Sequence, residues 1–592
     1  MKKITLLIGA LALSFASYAV GMSGIYKVGT TETSPNYASL SAAVADLNTL
    51  GVAGNVVLEI TSDITETVNI GLINSSNFSI TIRPDIDVDR TITFNKAADN
   101  AGPSGAFCIG IGMGLAWTDL SPSKNIVIDG FASGGTTKRL KITTAVTHHG
   151  GNGPFLLIDD CSNIQIKNCI IQHVGATTGS SNYGIYLRVN SAYGTKKMPS
   201  NVTIENNTIT TTQNSASQAI AIYANAAPTS NANNITIKNN IINARTRGLF
   251  LYYLDGLDVN GNEFHINQVN DGSLSSAIMG NTGLTGSINV YNNKFLELKS
   301  GNKTATFGMR AIIASGGGNW YIKNNFFTGF DKTSVTAGET MMQGIRCGST
   351  CYVWNNTFFL NALTNKPTTH IETPSDTQSA YCAINIAAGT PEIKNNIFIS
   401  NEDAFFNFLI RGGVSGITNN NLYFLRAGNT KARINMNFTT PYATFAAYRA
   451  DNALMDVNSK NVDVNFVDVA TGDLRIAGLS IQDNQLRVPS LVDVTTDIFG
   501  TIRNTEYTYA GAHESTLPFL TTEVDNAKAT PARIIRTSAG IEVQLYREAN
   551  VELYTINGML IDQARANGTY SRNLNAGIYI IRIDGKATKF VK

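Results

Sequence analysis

The chain has 592 residues, 45 Lys and Arg against 43 Asp and Glu, and a formal charge of +2. Charge this balanced, without blocks of one sign, leaves no electrostatic footprint for a nucleic acid. With only 15% charged residues and 52 glycines, the composition fits a turn-rich all-β chain and argues against a helical one.

Residues 1–19 read as a secretory signal peptide: Lys2 and Lys3, the apolar run from Ile4 to Phe15, then Ser17-Tyr18-Ala19 as a small-x-small cleavage site. No later segment is long and apolar enough for a transmembrane span. An exported product is expected. After the signal, Ser39 is a plausible N-cap, Leu40, Ala43, Val44 and Leu47 share one helical face, and Gly51 can end the helix. Such a helix would cover the open end of a stacked β structure.

A repeat then governs the middle of the chain. An alternating stretch closed by paired asparagines recurs as NIQIKNC, NVTIENN, NITIKNN, INVYNN, WYIKNN and PEIKNN. The first members of the pairs are Asn168, Asn206, Asn239, Asn292, Asn324, Asn355, Asn395 and Asn420, with Gly130 and Gly261 in register. A second phrase occurs in most units, beginning at Gly184, Ala219, Gly248, Ala311, Gly344 and Ala383. Both phrases alternate with period two, so each is a short strand with one inward and one outward face. Several short strands per coil, with variable remainders, predict a right-handed parallel β-helix over 20–514.

The asparagines suit tight bends, because Asn tolerates the left-handed backbone region and its amide both donates and accepts. A structural ladder between coils is the expected role. The six cysteines form no regular framework: Cys347 and Cys351 face inward, and Cys169 takes the ladder position used by Asn207. Buried free thiols are expected, with a Cys347–Cys351 bridge as the alternative. No CxxC-type metal spacing is present, and no metal site is expected.

Outward positions decide what such a scaffold can do. Tyr186, Tyr223, Phe250 and Tyr252 fall on outward positions of three successive coils and should form an exposed strip suited to sugar rings. Shielding of the sheet is the alternative reading. Arg188, Arg247, Arg310, Arg346 and Arg411 recur near the same strands and offer a basic track for an acidic glycan. Candidate metal ligands Asp159, Asp160, Asp255 and Asp258 are scattered, and His148-His149 sits undecided in a Gly-rich loop.

The cap phrase, the asparagine coils and the closing DIFG...YAGAHE resemble the exported right-handed β-helix proteins related to pectate lyases found in Bacteroidota, over residues 25–514. Polygalacturonase-like chains resemble one another in carrying NTD and DD motifs before the second strand phrase. Here those places are Asn182-Tyr183, Ser217-Gln218, Thr246-Arg247, Met309-Arg310, Met342-Gln343 and Tyr381-Cys382, without a carboxylate. The resemblance therefore implies the fold and not that hydrolase mechanism.

Residues 515–532 read as a linker. The remaining segment, 533–592, returns to short strands with hairpins at Asn557-Gly558 and Asp584-Gly585. Val551, Leu553, Asn557-Gly558-Met559-Leu560, Leu574, Gly577-Ile578-Tyr579, Gly585-Lys586 and the terminal Lys589–Lys592 resemble the C-terminal sorting domain of type IX secretion cargo. The strands and hairpins themselves predict a small β-sandwich; the resemblance implies that it is read by the type IX secretion machinery, leaving the body secreted or held at the outer-membrane cell surface, with Gly558, Gly577, Tyr579, Gly585, Lys586 and Lys592 as parts of its signal.

The expected function is glycan binding by a monomeric, surface-displayed β-helix through Tyr186, Arg188, Tyr223, Phe250, Tyr252, Arg310 and Arg346, with no cofactor. The alternative is a polysaccharide lyase or glycosidase acting on an acidic polysaccharide, with Ca²⁺ in the lyase case. A purely structural surface protein is the third class.

Overall fold

The computed structural model describes residues 21–96, 105–112, 116–145, 154–174, 182–190, 192–211, 217–268, 274–301, 308–333, 342–365, 381–402, 407–411, 417–426, 442, 444–519, 532–537 and 539–592. The signal peptide, His148-His149, linker residues 520–531 and the side chains of Asn182, Arg411 and Lys586 lie outside them.

Three parallel sheets of thirteen, fourteen and eleven strands make a right-handed parallel β-helix. One coil illustrates the path: Ser162–Lys167 in the first sheet, Ile170–His173 in the second, Asn182–Val189 in the third, then Ser200–Glu205 back in the first. Strands pair with their counterparts one coil away, as in Ile164↔Val202 and Ile185↔Ile220. The connection from the second sheet to the third varies most, from residues 245–246 to residues 361–380.

The paired asparagines divide their work at the bend between the first two sheets. The first member supplies the left-handed residue, with φ between 51° and 61° at Asn168, Asn206, Asn239, Asn292, Asn324, Asn355, Asn395 and Asn420. The second member points inward and builds the ladder. From Asn207 through Asn240, Asn262, Asn293, Asn325, Asn356 and Asn396 to Asn421, each amide Nδ2 donates to the Oδ1 of the next coil at 2.9–3.1 Å. The same Oδ1 atoms accept the buried backbone N–H of the preceding coil, as in Asn262 N to Asn293 Oδ1 at 2.9 Å.

A row that donates in one direction needs a last acceptor. Buried Asp456 provides it, accepting from Asn421 Nδ2 at 3.3 Å, Tyr423 OH at 3.1 Å and Tyr448 OH at 2.9 Å. Burial pushes its carboxyl pKa up, while these hydrogen bonds draw it back down. Beside the ladder runs an interior aromatic stack, Phe264, Phe295, Phe327, Phe358, Phe398 and Tyr423, with successive centroids 4.4 to 5.3 Å apart.

Helices pack at both ends of this core. The first spans Leu40–Leu50, with Ser39 as N-cap, Leu40, Ala43, Val44 and Leu47 buried, and Gly51 closing it at φ 73°. Glu66 of the first coils adds a second cap, its Oε1 accepting from Leu40 N at 2.7 Å and Ser41 N at 3.2 Å. At the other end Phe445–Asp451 forms a helix whose Phe445 ring stands 5.5 Å from Tyr423.

The chain then returns along the outside of the coils. Backbone carbonyls of Pro489 and Thr496 accept from the left-handed asparagines Asn395 and Asn324, at 2.7 and 2.6 Å. Arg503 sits at the centre of this closing segment, almost wholly buried, donating to Asn324 Oδ1 at 3.0 Å, Gly511 O at 2.9 Å and Glu514 Oε2 at 3.0 Å. The closing phrase noted in the sequence is thus an external strap over the later coils.

All six cysteines are buried free thiols. Burial pushes Cys108 and Cys161 up to about 12, which makes both poor nucleophiles. Cys347 and Cys351 both belong to the interior core, as their strand register requires.

A second compact unit comprises Gly478–Asn484 and Leu517–Lys592. Its strands run antiparallel, Ala532–Arg536, Gly540–Thr555, Leu560–Asn573, Ile578–Ile583 and Lys586–Val591. Pairing of Gly540–Thr555 shifts register between Leu545 and Ala549, and residues from both sides of the shift share one core with Tyr570, Ile581 and Phe590. Gly558 and Gly585 take positive φ at the two hairpins, where a side chain would be strained. Gly577 and Lys592 exchange two backbone hydrogen bonds, and Tyr579 stacks on Phe590 at 5.5 Å.

Candidate glycan-contact site

The third sheet carries the residues on which a binding surface was expected. Its inward positions, such as Ile185, Leu187, Ile220 and Ile222, belong to the interior core, whereas Tyr183, Tyr186, Leu156, Ile158 and Ala221 form a separate apolar cluster on the outer face. Register sets Tyr186 opposite Ala221 and Ala221 opposite Phe250, while Arg188 lies opposite Tyr223. The aromatic side chains therefore stagger across two rows.

The rings do meet. Tyr186 stands 6.4 Å from Tyr223, Tyr223 stacks on Phe250 at 6.5 Å, and Tyr252 meets both edge-on at 5.1 and 4.8 Å. The expectation of a fully exposed strip needs correction, however: Tyr186 is only 3% exposed, stacked at 4.1 Å on buried Tyr183. Burial raises its phenol pKa well above the usual range. Tyr223, Phe250 and Tyr252 are half-buried and form the reachable part.

The arginines divide similarly. Arg188 and Arg247 lie over rings, 5.5 Å from Tyr186 and 4.8 Å from Phe250, in cation–π geometry. Arg310 sits on a later coil and is buried, its Nε donating to Gln343 Oε1 at 3.0 Å, so it is not a surface contact. Arg346 is half-buried on the coil after that, opposite Asn385. The outer face is otherwise closed over these later coils: every residue of Met309–Ala314 and Tyr381–Ile386 is buried, and Arg346 on the strand between them is the exception.

The scattered acids have local duties. Asp159 accepts from Thr195 Oγ1 at 2.8 Å and Lys197 N at 3.0 Å, and Asp160 pairs with Lys197 Nζ at 3.2 Å. Asp255 accepts from Thr285 and Asp258 from Asn289, at 2.9 and 2.8 Å. Among the described residues no group of three or more His, Cys, Asp or Glu is placed to hold a metal ion. The eleven strands of the third sheet contain no Asp or Glu at all.

Three aromatic residues outside the recurring phrases, or at their margin, complete the patch. Trp117 stacks on Tyr193 at 6.2 Å with a 10° interplanar angle, and Tyr253 stands 6.3 Å from Tyr252. Trp117 and Tyr193 belong to connections between strands, where no periodicity marks them.

No protein-family model matches the chain, and no curated protein matches it. Among solved structures it is similar to PfbA, a surface adhesin of Streptococcus pneumoniae, at 16% identity and TM-score 0.39, over 65% of this chain and 86% of that one. It is also similar to a PL6 family alginate lyase at 10% identity and TM-score 0.37, over 83% of this chain and 59% of that one. A tailspike of the Acinetobacter phage vb_AbaP_AS12 follows at 9% identity and TM-score 0.33, over 93% of this chain and 79% of that one. Likenesses this distant carry no argument about what the chain binds or does.

Proposed function

We propose that this chain is an exported, surface-displayed β-helix protein that binds glycans through the outer face of its third sheet. The observation that carries the reading is the half-buried group Tyr223, Phe250 and Tyr252, contiguous on two neighbouring coils with the Arg247 guanidinium over one ring. Flat apolar rings with polar tips suit the faces and hydroxyls of sugars. A binding role is favoured over the glycosidase or lyase alternative because the strands under the patch carry no carboxylate to act as acid or base in the first or to hold Ca²⁺ in the second.

The double substitution Tyr223→Ala with Tyr252→Ala is expected to weaken binding to glycan-array ligands by about tenfold or more, from lost stacking. Both rings are half-buried and pack on Phe250, so a modest drop in melting temperature is expected, with the fold retained by far-ultraviolet circular dichroism. Equal binding by the variant would end this reading.

The second unit is read as the sorting domain of a type IX secretion cargo, supported by the glycine hairpins and by the Gly577–Lys592 pairing that ties the chain end into the sheet. Removing residues 533–592 is expected to leave the protein in the periplasm, measured by cell fractionation and surface labelling. Normal surface appearance of the truncated chain would refute the sorting role.

A further inference from the structure

Arg188 has no conventional partner. Its guanidinium carbon lies 5.0 Å from the Trp117 ring centroid and 5.5 Å from that of Tyr186. Its Nε is buried without a hydrogen-bond partner, and the guanidinium makes no ion pair, among the described residues. Arg188 is half-buried, and cation–π contacts offset only part of the cost of taking its Nε out of water. A donor held this way normally meets an acceptor.

The loop that follows the Arg188 strand is held in a fixed path. Asp159, 2% exposed, pins the loop that follows the Arg188 strand through Thr195 and Lys197. That loop turns at Gly194, φ 62°, where a Cβ would stand 1.6 Å from Asp159 Oδ2, so only glycine permits the close approach. The loop carries Tyr193, 41% exposed, onto Trp117. An exposed ring, a second ring and an unneutralised guanidinium therefore converge beside the aromatic patch. The strands of the sheet carry no Asp or Glu, and the acids that follow the neighbouring strand, Asp159 and Asp160, are engaged by Thr195 and by Lys197.

We propose that Arg188 receives an anionic substituent, a carboxylate or a sulfate, from a glycan whose sugar ring rests against Tyr193. This subsite rests on the glycan-binding reading and adds to it the charge of the ligand. Arg188 supplies planar donors to the anion, Trp117 and Tyr186 hold the guanidinium, and Asp159 positions the loop.

The test uses the full chain with three soluble polymers: polygalacturonate for carboxylate, dextran sulfate for sulfate, and neutral dextran. For at least one anionic polymer, binding by affinity electrophoresis should weaken about tenfold or more in Arg188→Gln, the loss of one charge-assisted hydrogen bond. Arg188→Lys should retain part of it. Wild-type binding should also weaken steeply from about 50 to about 500 mM NaCl, a measurement that needs no variant to fold. Response to one anionic polymer alone identifies the group as carboxylate or sulfate.

Binding that ignores both salt and Arg188→Gln, yet falls in the Tyr223→Ala, Tyr252→Ala variant, overturns the subsite and leaves the glycan reading standing. An equal loss for neutral dextran in Arg188→Gln overturns the anionic assignment. Absence of wild-type binding to these polymers and to any array glycan removes both.

Discussion

Arg503→Ala is expected to destabilise the closing segment by about 3–5 kcal/mol, the cost of breaking a buried charge pair by removing one partner. Arg503 donates to Thr496 O, Thr508 Oγ1, Tyr509 O, Glu514 Oε2, Asn324 Oδ1 and Gly511 O, so its loss orphans acceptors on both the strap and the coils. Burial runs against both charges, lowering Arg503 to about 10 and raising Glu514. The pair is therefore worth little as a Coulomb attraction measured against water, and its value lies in the hydrogen bonds it satisfies. Amide-exchange protection over residues 485–516 should fall in the variant while protection of the early coils persists, because a stacked array opens locally. Unchanged protection in the strap would contradict the assigned role. Arg139→Ala makes a useful comparison: its partners Asp87 and Asp89 are largely exposed, and no measurable change is expected.

The second large effect concerns the ladder. Asn293→Leu keeps the volume but removes every polar contact of the side chain. Asn262 N and Nδ2 lose their acceptor, Val259 O and Tyr291 O lose a donor, and Asn325 Oδ1 loses its side-chain donor. Each orphaned buried group costs about 1–3 kcal/mol, so a total of about 3–5 kcal/mol is expected once the apolar gain is subtracted. Chemical denaturation followed by near-ultraviolet circular dichroism should show a lower midpoint, and soluble yield should drop. Asn292→Gly, one residue earlier, should be close to neutral for the backbone, since the position has φ 58° and glycine adopts it freely. A ladder variant as stable as the parent would show that the row is incidental.

Much of the scaffold was legible before any coordinates. The asparagine pairs mark most bends of the later coils, and Ser39, Leu40, Ala43, Val44, Leu47 and Gly51 mark the capping helix with its buried face. These signals are local: a left-handed bend selects Asn or Gly at one position, and a helix start selects an oxygen side chain at another. The division of labour within each pair was not legible. Two adjacent asparagines look alike in sequence, and only the turn geometry sends one outward and the next into the core.

The site was legible in part. Period two placed Tyr186, Tyr223, Phe250 and Tyr252 on the outer side of their strands, and the rings do touch. Alternation gives the side of a strand and says nothing about whether that side is wet. Tyr186 and Arg310 turned out buried, and Arg188 turned out to rest on Trp117, 71 positions earlier in the chain than the arginine itself (188 − 117). Trp117 and Tyr193 sit in connections that carry no period, so neither was among the expected contacts.

By itself, the sequence determined the stacked all-β architecture, its register and its N-terminal cap, because each depends on backbone conformations and side-chain alternation within a few residues. The tertiary structure alone decided which outer faces are covered, that Arg503 clamps the strap to Asn324 across 179 positions, and that Arg188 Nε lacks a hydrogen-bond acceptor among the described residues. Burial and pairing of that kind arise between segments far apart in the chain, and no local pattern encodes them.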